Sequence, residues 1–350
     1  MSEMVQPQVN LAQPTVLRMW SIFGCALAVS VYSAAGDGFA SLGIAIAVLA
    51  AALFSEALAL HFGRLWSSSA DSAPSGEEPA WIAGGRLVGG KIADGSAAAS
   101  AMIFVLLLPN SINPVYAVLG ILFAMLLVKF SFGGLGANWV NPALGAWLFL
   151  RLSWPSLFSR IPLEFQGGGG SGLDAAVRGF FNRTVLSLIG AELPPGYVDL
   201  ILGLKGEGII ADRGLPILIL GTIILISAQI SRAWIPAVYL GVYALLVRIF
   251  GAASGALGGG DVLYCLFSGG TLAAAFFLAA DPVTGAKSGA GMLGAAVLSA
   301  VLAFLFRYQG SDPYGAFPAA ALVNAAVPFI RRLENRKFPE PIFSLWRLRK

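Results

Sequence analysis

Two stretches of this sequence carry side chains able to grip an electron-rich ligand. The first runs from Ser131 to Gly145 and reads SFGGLGANWVNPALG. Its glycines let backbone approach a ligand closely. Asn138 and Asn141 bring amide donors and acceptors, and Pro142 suits the first turn of a helix. A helix opening there would turn partial positive charge toward an anionic or electron-rich group. The plainer reading is a tight turn capped by asparagine. The second stretch, FFLAADPVTGAKSG from Phe276 to Gly289, sets Asp281 where an apolar run ends. A carboxylate at a helix C-terminus opposes the helix dipole. It calls for a partner such as Lys287, a ring nitrogen or an ion, unless it is an Asp-Pro turn in the interface.

A third run, Gln166 to Asp174 (QGGGGSGLD), has the glycines of a phosphate cradle but not its Lys-Ser/Thr pair. It reads as a flexible linker. Glu56 lies inside an apolar run and Asp94 precedes one. An acid in a membrane span is costly and therefore a functional candidate, although Glu56 is close enough to a span end to reach the interface. Cys25 and Cys265 are two thiols where an iron–sulfur cluster takes four ligands. His61, the single histidine, excludes haem held by two histidines of this chain. No catalytic residue and no metal ligand is assigned.

The elements that must position these residues are membrane helices. Of the 350 residues 57% are hydrophobic and 11% charged, against roughly 25% charged in a soluble domain. Spanning needs about 20 apolar residues. Full or near-full spans are 16–35, 39–60, 115–130, 215–230, 233–250 and 289–306. Shorter or broken runs are 97–108, 142–152, 263–280 (interrupted at Ser268-Gly269-Gly270) and 316–330 (with Pro318 and Pro328). The short runs recur in the same order in each half, and AAASAMIFVLLLP from Ala97 parallels GTLAAAFFLAADP from Gly270. Five spans per copy is an odd number, so the copies must lie inverted. Inverted repeats with discontinuous helices are a transporter signature.

The expected fold is thus an all-α integral membrane protein of about ten transmembrane helices in two inverted five-helix repeats. Residues 1–15 form a cytoplasmic tail, 16–152 the first repeat, 153–214 an external loop, 215–330 the second repeat and 331–350 a basic cytoplasmic tail. The N-terminal segment lacks the basic and cleavable parts of a signal peptide. With the N-terminus inside, 14 Lys and Arg fall on the cytoplasmic side and 8 outside, which orients both termini inward. Arg18 and Arg248, at helix ends, read as snorkelling side chains.

The runs DGSAAASAMIFVLLLP, FGGLGANWVNPALG, FFLAADPVTG and YQGSDPYGAFPAAALVNAAVPFI resemble the NqrB/RnfD family. These are membrane subunits of the Rnf electron-transport complex and of the sodium-pumping NADH:quinone reductase. The resemblance implies a fold related to urea and ammonium channels, in the bacterial cytoplasmic (inner) membrane. It implies other membrane and peripheral subunits as partners, no nucleic acid, and electron transfer between ferredoxin and NAD coupled to Na+ or H+ movement. The implied cofactor is FMN or riboflavin. One FMN of the family is esterified to the threonine of an S-G-A-T motif in the outer loop. Here that place reads GGGGSGLD, and Gly172 falls where the threonine would be. Glycine has no hydroxyl to esterify, which leaves Ser171 beside it and Thr184 downstream. A noncovalent flavin held near Asn138, Asn141, Thr271 and Asp281 is the other expectation. Two further readings stay open: a urea-channel-like solute transporter, and a scaffold subunit without cofactor.

Overall fold

A computed structural model describes residues 15–36, 39–67, 94–131, 138, 140–158, 171–184, 186–190, 192–204, 208–251, 260–281, 284–310 and 312–334. The first tail before residue 15, the basic tail after 334, the glycine-rich runs 132–137 and 166–170, and Pro282 lie outside the described residues.

The described residues are helical throughout, with one isolated antiparallel bridge between Pro109 and Ile209. In chain order the helices are α1 (Thr15–Gly36), α2 (Ala40–Ser67), α3 (Ser96–Leu106), α4 (Pro114–Phe123), α5 (Pro142–Ser153), α6 (Gly172–Thr184), α7 (Tyr197–Ile201), α8 (Ile210–Arg213), α9 (Leu215–Ser227), α10 (Trp234–Phe250), α11 (Val262–Leu266), α12 (Thr271–Ala273), α13 (Gly289–Tyr308) and α14 (Ala316–Glu334). α4 runs on into a π-helical stretch, Ala124–Phe130, and α12 into another, Ala274–Ala279. Among the described residues three helices are long and apolar enough to cross a membrane, in α1, α2 and α13, and α3, α4, α9 and α10 are shorter apolar helices. Large apolar side chains such as Ile46, Phe54, Val115, Ile223, Leu245 and Phe329 face outward. The chain is a multi-pass membrane protein.

The short helices stop for local reasons. α3 follows Gly95, which is left-handed at φ 74°, and Asp94 Oδ1 accepts the Ser96 N–H at 2.7 Å. At its other end the N–H groups of Leu107 and Leu108 turn back onto Phe104 and Val105, and Pro109 cannot extend the helix. α3 is apolar on almost every side and accordingly buried on almost every side. α5 opens with Asn141 as N-cap, its Oδ1 accepting the Ala143 N–H at 2.9 Å, and with Pro142 in the first turn. α11 and α12 are parted at Ser268-Gly269-Gly270, as the glycines predict. The break expected in 316–330 is absent. α14 continues through Pro328 to Glu334, and Pro318 falls in its first turn, where no intrahelical donor is needed.

Within the first half α1 and α2 pack on α3, and α2 and α5 pack on α4. Within the second, α10 packs on the π turn after α12, and on α13, which packs on α14. The halves meet where α1 crosses α9 and where α5 crosses α14. Gly221 of α9 leaves room for the Cys25 sulfur and Gly214 for Val29, the small-residue contact that membrane helices favour. Arg151 of α5 pairs with Asp312 ahead of α14 at 3.3 Å.

Candidate functional site

The ends of α5 and α12 meet. Asn141 Nδ2 donates to Asp281 Oδ2 at 2.9 Å, and Thr284 Oγ1 donates to the same oxygen at 2.8 Å. The positive end of α5 thereby offsets the negative end of α12 and the carboxylate beyond it. The partner that Asp281 called for is the amide of Asn141 together with a threonine. A recess of about 50 Å³ opens at this junction, lined by Arg18, Ser96, Ser100, Lys129, Asn138 and Asn141 beside Asp281 and Thr284. Asn138 is buried there.

A buried ion pair supports the recess. Lys129, from the π stretch after α4, donates to Glu56 Oε1 at 2.6 Å and to Ser96 Oγ at 2.8 Å. Both charged side chains are within a few per cent of full burial. The second Glu56 oxygen, Oε2, is buried without a hydrogen-bond partner. π-helical turns often mark functional sites. Both such turns among the described residues line the recess, the first through Lys129 and the second through Phe276 and Phe277.

Thr271 is not at the recess. It opens α12 at the opposite end from Asp281, after left-handed Gly270 (φ 69°). Its hydroxyl donates to the carbonyls of Cys265 and Ser268 at 2.9 and 3.0 Å. Arg307, fully enclosed near the end of α13, donates to the same two carbonyls at 3.2 and 3.1 Å and to Ser268 Oγ at 2.7 Å. Asp212 of α8 accepts the Gly270 N–H at 3.0 Å. The two half-helices α3 and α12 therefore begin alike. Each follows a left-handed glycine, and each has its first turn tied to a cation near the end of the long helix that follows: Ser96 to Lys129, and the Ser268–Thr271 bend to Arg307. This pairs Gly95 with Gly270, two residues away from the sequence match of Ala97 with Gly270. Lys129 and Arg307 also leave the charge count of the two membrane faces, since both are buried in the bundle.

The segment between α5 and α8 holds Ser171 and Thr184 apart from the recess. Ser171 caps α6: its Oγ accepts the Asp174 N–H at 3.1 Å and donates to Asp199 Oδ1 at 2.6 Å. Asp174 is fully buried and accepts the N–H groups of Gly196 and Val198. A phosphoester on Ser171 would break the cap and put its negative charge against two buried carboxylates. Ser171 does not fit that role. Thr184, exposed at the end of α6, donates to the Phe180 carbonyl at 2.7 Å.

The donor set of the recess suits the hydrogen-bonding edge of a planar heterocycle such as a flavin ring, with amides on one side and cations near, while its volume of about 50 Å³ takes such an edge and not a whole ring. Past Arg18, Met19, Ile230 and Asp281 the recess adjoins a larger cleft of about 390 Å³, between α1, the loop after α9, the end of α12, α13 and α14.

Residues 80–338 match the model of the NQR2, RnfD, RnfE family. Among curated proteins, the D component of the Na(+)-translocating ferredoxin:NAD(+) oxidoreductase complex of Acetobacterium woodii is 30% identical over 267 residues, covering 73% of this chain and 75% of that protein. The D component of the proton-translocating ferredoxin:NAD(+) oxidoreductase complex of Clostridium ljungdahlii is 29% identical over 264 residues, covering 72% and 75%. The D component of the ion-translocating oxidoreductase complex of Aeromonas hydrophila is 30% identical over 280 residues, covering 72% and 80%.

Proposed function

The chain belongs to the NQR2, RnfD, RnfE family, and on that premise we propose that it is the membrane subunit of a redox-driven ion-translocating complex of the ferredoxin:NAD+ oxidoreductase type. Its partners are the other subunits of that complex, and the ion moved is Na+ or H+, the two ions named among its relatives. Ten spans in two inverted halves, with both termini cytoplasmic in the inner membrane, complete the reading. The like construction of α3 and α12, and the crossings of α1 with α9 and of α5 with α14, support the inversion.

The observation that carries the redox role is the junction of Asn141 and Asp281 at opposed helix ends, with buried Lys129 alongside. A flavin held there would supply one- and two-electron redox chemistry. The chain's own part is to hold and orient the ring edge through Asn138, Asn141 and Asp281, to keep water out with Ile22, Ile103 and Phe277, and to hold positive charge near the ring with Lys129 and Arg18. Charge in such a low-dielectric site interacts far more strongly than in water. A change of redox state can therefore bias an ion site nearby.

Acid precipitation of the chain, purified with its co-purifying subunits, tests this. Flavin should appear in the supernatant, fall in Asn138→Ala and Asn141→Ala, and persist in Ser171→Ala. Flavin that stays on the denatured chain and is lost with Ser171 would overturn the noncovalent site. Absence of flavin would overturn the redox role and leave a solute channel or a scaffold.

A further inference from the structure

The larger cleft carries more charge than the flavin reading uses. Arg18, Arg232 and Lys287 lie along it, and Asp281 is the one acid in its lining. Farther in, the wall is apolar, with Ile235, Leu278, Val323 and Val327. Three of its polar groups are poorly served by the protein. Among the described residues the Arg232 guanidinium bonds only the thioether of Met292, at 2.8 Å, and a thioether is a weak acceptor. Arg18 Nε is buried without a partner. Asn324 lines the cleft, is 5% exposed, and its Nδ2 has no partner either.

These groups are spread in depth. Arg331, whose Nη2 reaches the Gly285 carbonyl at 2.7 Å, sits by the loop that carries Lys287. Asn324 is two turns farther along α14, about 10 Å deeper. Pro328 has no N–H to offer the Asn324 carbonyl. A molecule that satisfies the whole cleft is negatively charged at the rim, carries an acceptor about one headgroup farther in, and is apolar beyond. Basic pockets between transmembrane helices at one membrane face take the headgroups of anionic lipids in this way.

We propose that this cleft binds an anionic phospholipid. The phosphate lies between Arg18 and Arg232, an ester carbonyl accepts from Asn324 Nδ2, and an acyl chain runs on past Val323 and Ala320. The flavin reading places its ring edge in the recess on the other side of Arg18 and Asp281, so the two sites share these residues and are told apart by Arg232 and Asn324, which line the cleft alone.

The full-length chain, purified with its co-purifying subunits in neutral detergent, is titrated with phosphatidylglycerol, with phosphatidylcholine of the same chain length, and with inorganic phosphate. Thermal unfolding and native mass spectrometry report binding. Phosphatidylglycerol should stabilise and stay bound, and phosphatidylcholine, whose choline cancels the phosphate charge, should do so about ten- to thirty-fold more weakly, as a net negative headgroup facing two arginines predicts. Arg18→Gln with Arg232→Gln should weaken phosphatidylglycerol by a similar factor and phosphatidylcholine much less. Arg232→Gln alone, at a loop position, keeps the test open if the double variant does not fold. Asn324→Leu should weaken the lipid several-fold. Equal binding of the two lipids, or unchanged phosphatidylglycerol binding in the arginine variants, overturns the proposal. So does displacement of the lipid by inorganic phosphate alone, which makes the site one for a free anion. Arginine variants that lose flavin and keep the lipid would also overturn it, and would give the cleft to the flavin.

Discussion

Lys129 sets the energetic stakes at the level of single residues. Its ammonium is enclosed, 2.6 Å from Glu56 Oε1 and 2.8 Å from Ser96 Oγ. Removing one member of a buried pair strands the other charge, at about 3–5 kcal/mol. Lys129→Met should therefore sharply lower the unfolding midpoint of the protein in detergent. Glu56→Gln with Lys129→Met, which removes both charges, should recover most of that loss. A double variant as unstable as the single one would show that the two charges are not coupled. Much of this site is legible in the sequence, because Glu56, Asn141 and Asp281 are polar groups where hydropathy calls for none. Lys129 and Arg307 are not legible. Basic residues near helix ends ordinarily reach water, and only the packing of α2 and α3 against the π stretch shows that Lys129 does not. Thr271 reads as a neighbour of Asp281 by position in the chain. The helix between them separates the two by about 15 Å, which sends Thr271 to the Arg307 cluster.

At the level of elements, the half-helices depend on how their first turns are made. Gly270 is left-handed at φ 69°, and a Cβ there would run into the Phe317 ring and lie 2.8 Å from Ile209. Gly190 is left-handed too, at φ 64°, but nothing lies within 4 Å of its Cβ position. Gly190→Ala should thus cost only the conformational penalty, about 1–2 kcal/mol. Gly270→Ala adds an overlap that buried side chains must absorb. The expected outcome is a modest drop in unfolding midpoint for the first and poor recovery of folded protein for the second. Equal effects would mean that the start of α12 is as loosely packed as the surroundings of Gly190. Most helix bounds are legible to within a few residues, since apolar length and glycine punctuation are local signals, though α2 runs on to Ser67, well past the apolar run that ends at residue 60. The unbroken α14 is not, because a proline signals a break only where the lost hydrogen bond goes uncompensated, and neighbouring helices in a membrane bundle can re-satisfy it. The π turns are invisible for a related reason. They reflect how α4 and α12 seat against neighbours, and an apolar run of the same composition serves an α-helix equally well.

For the whole molecule the decisive question is how often the chain crosses the bilayer between α6 and α13. In the proposed ten-span topology α9 and α10 are two crossings. α11 and α12 make a third only if the broken helix continues through the membrane instead of returning to the face it left. Its two ends favour passage. The bend before α12 is tied to Asp212 and Arg307, whereas the far end reaches Asn141 at the recess. α3 runs beside it, its C-terminal end meeting the segment that leads into α8 through the Leu108 carbonyl and the Ile210 N–H at 3.0 Å. Two short helices, each starting near the other's end, together bridge a depth that neither covers alone. An odd number of crossings puts Ser187 and Ala290, both exposed, on opposite faces. A membrane-impermeant thiol reagent applied to intact cells should label Ser187→Cys and spare Ala290→Cys until the cells are opened, with Cys25 and Cys265 sheltered in the bundle. Labelling of both positions from outside would make the broken helix a re-entrant hairpin. The second half would then have an even number of crossings there, and it could not be the inverted copy of the first.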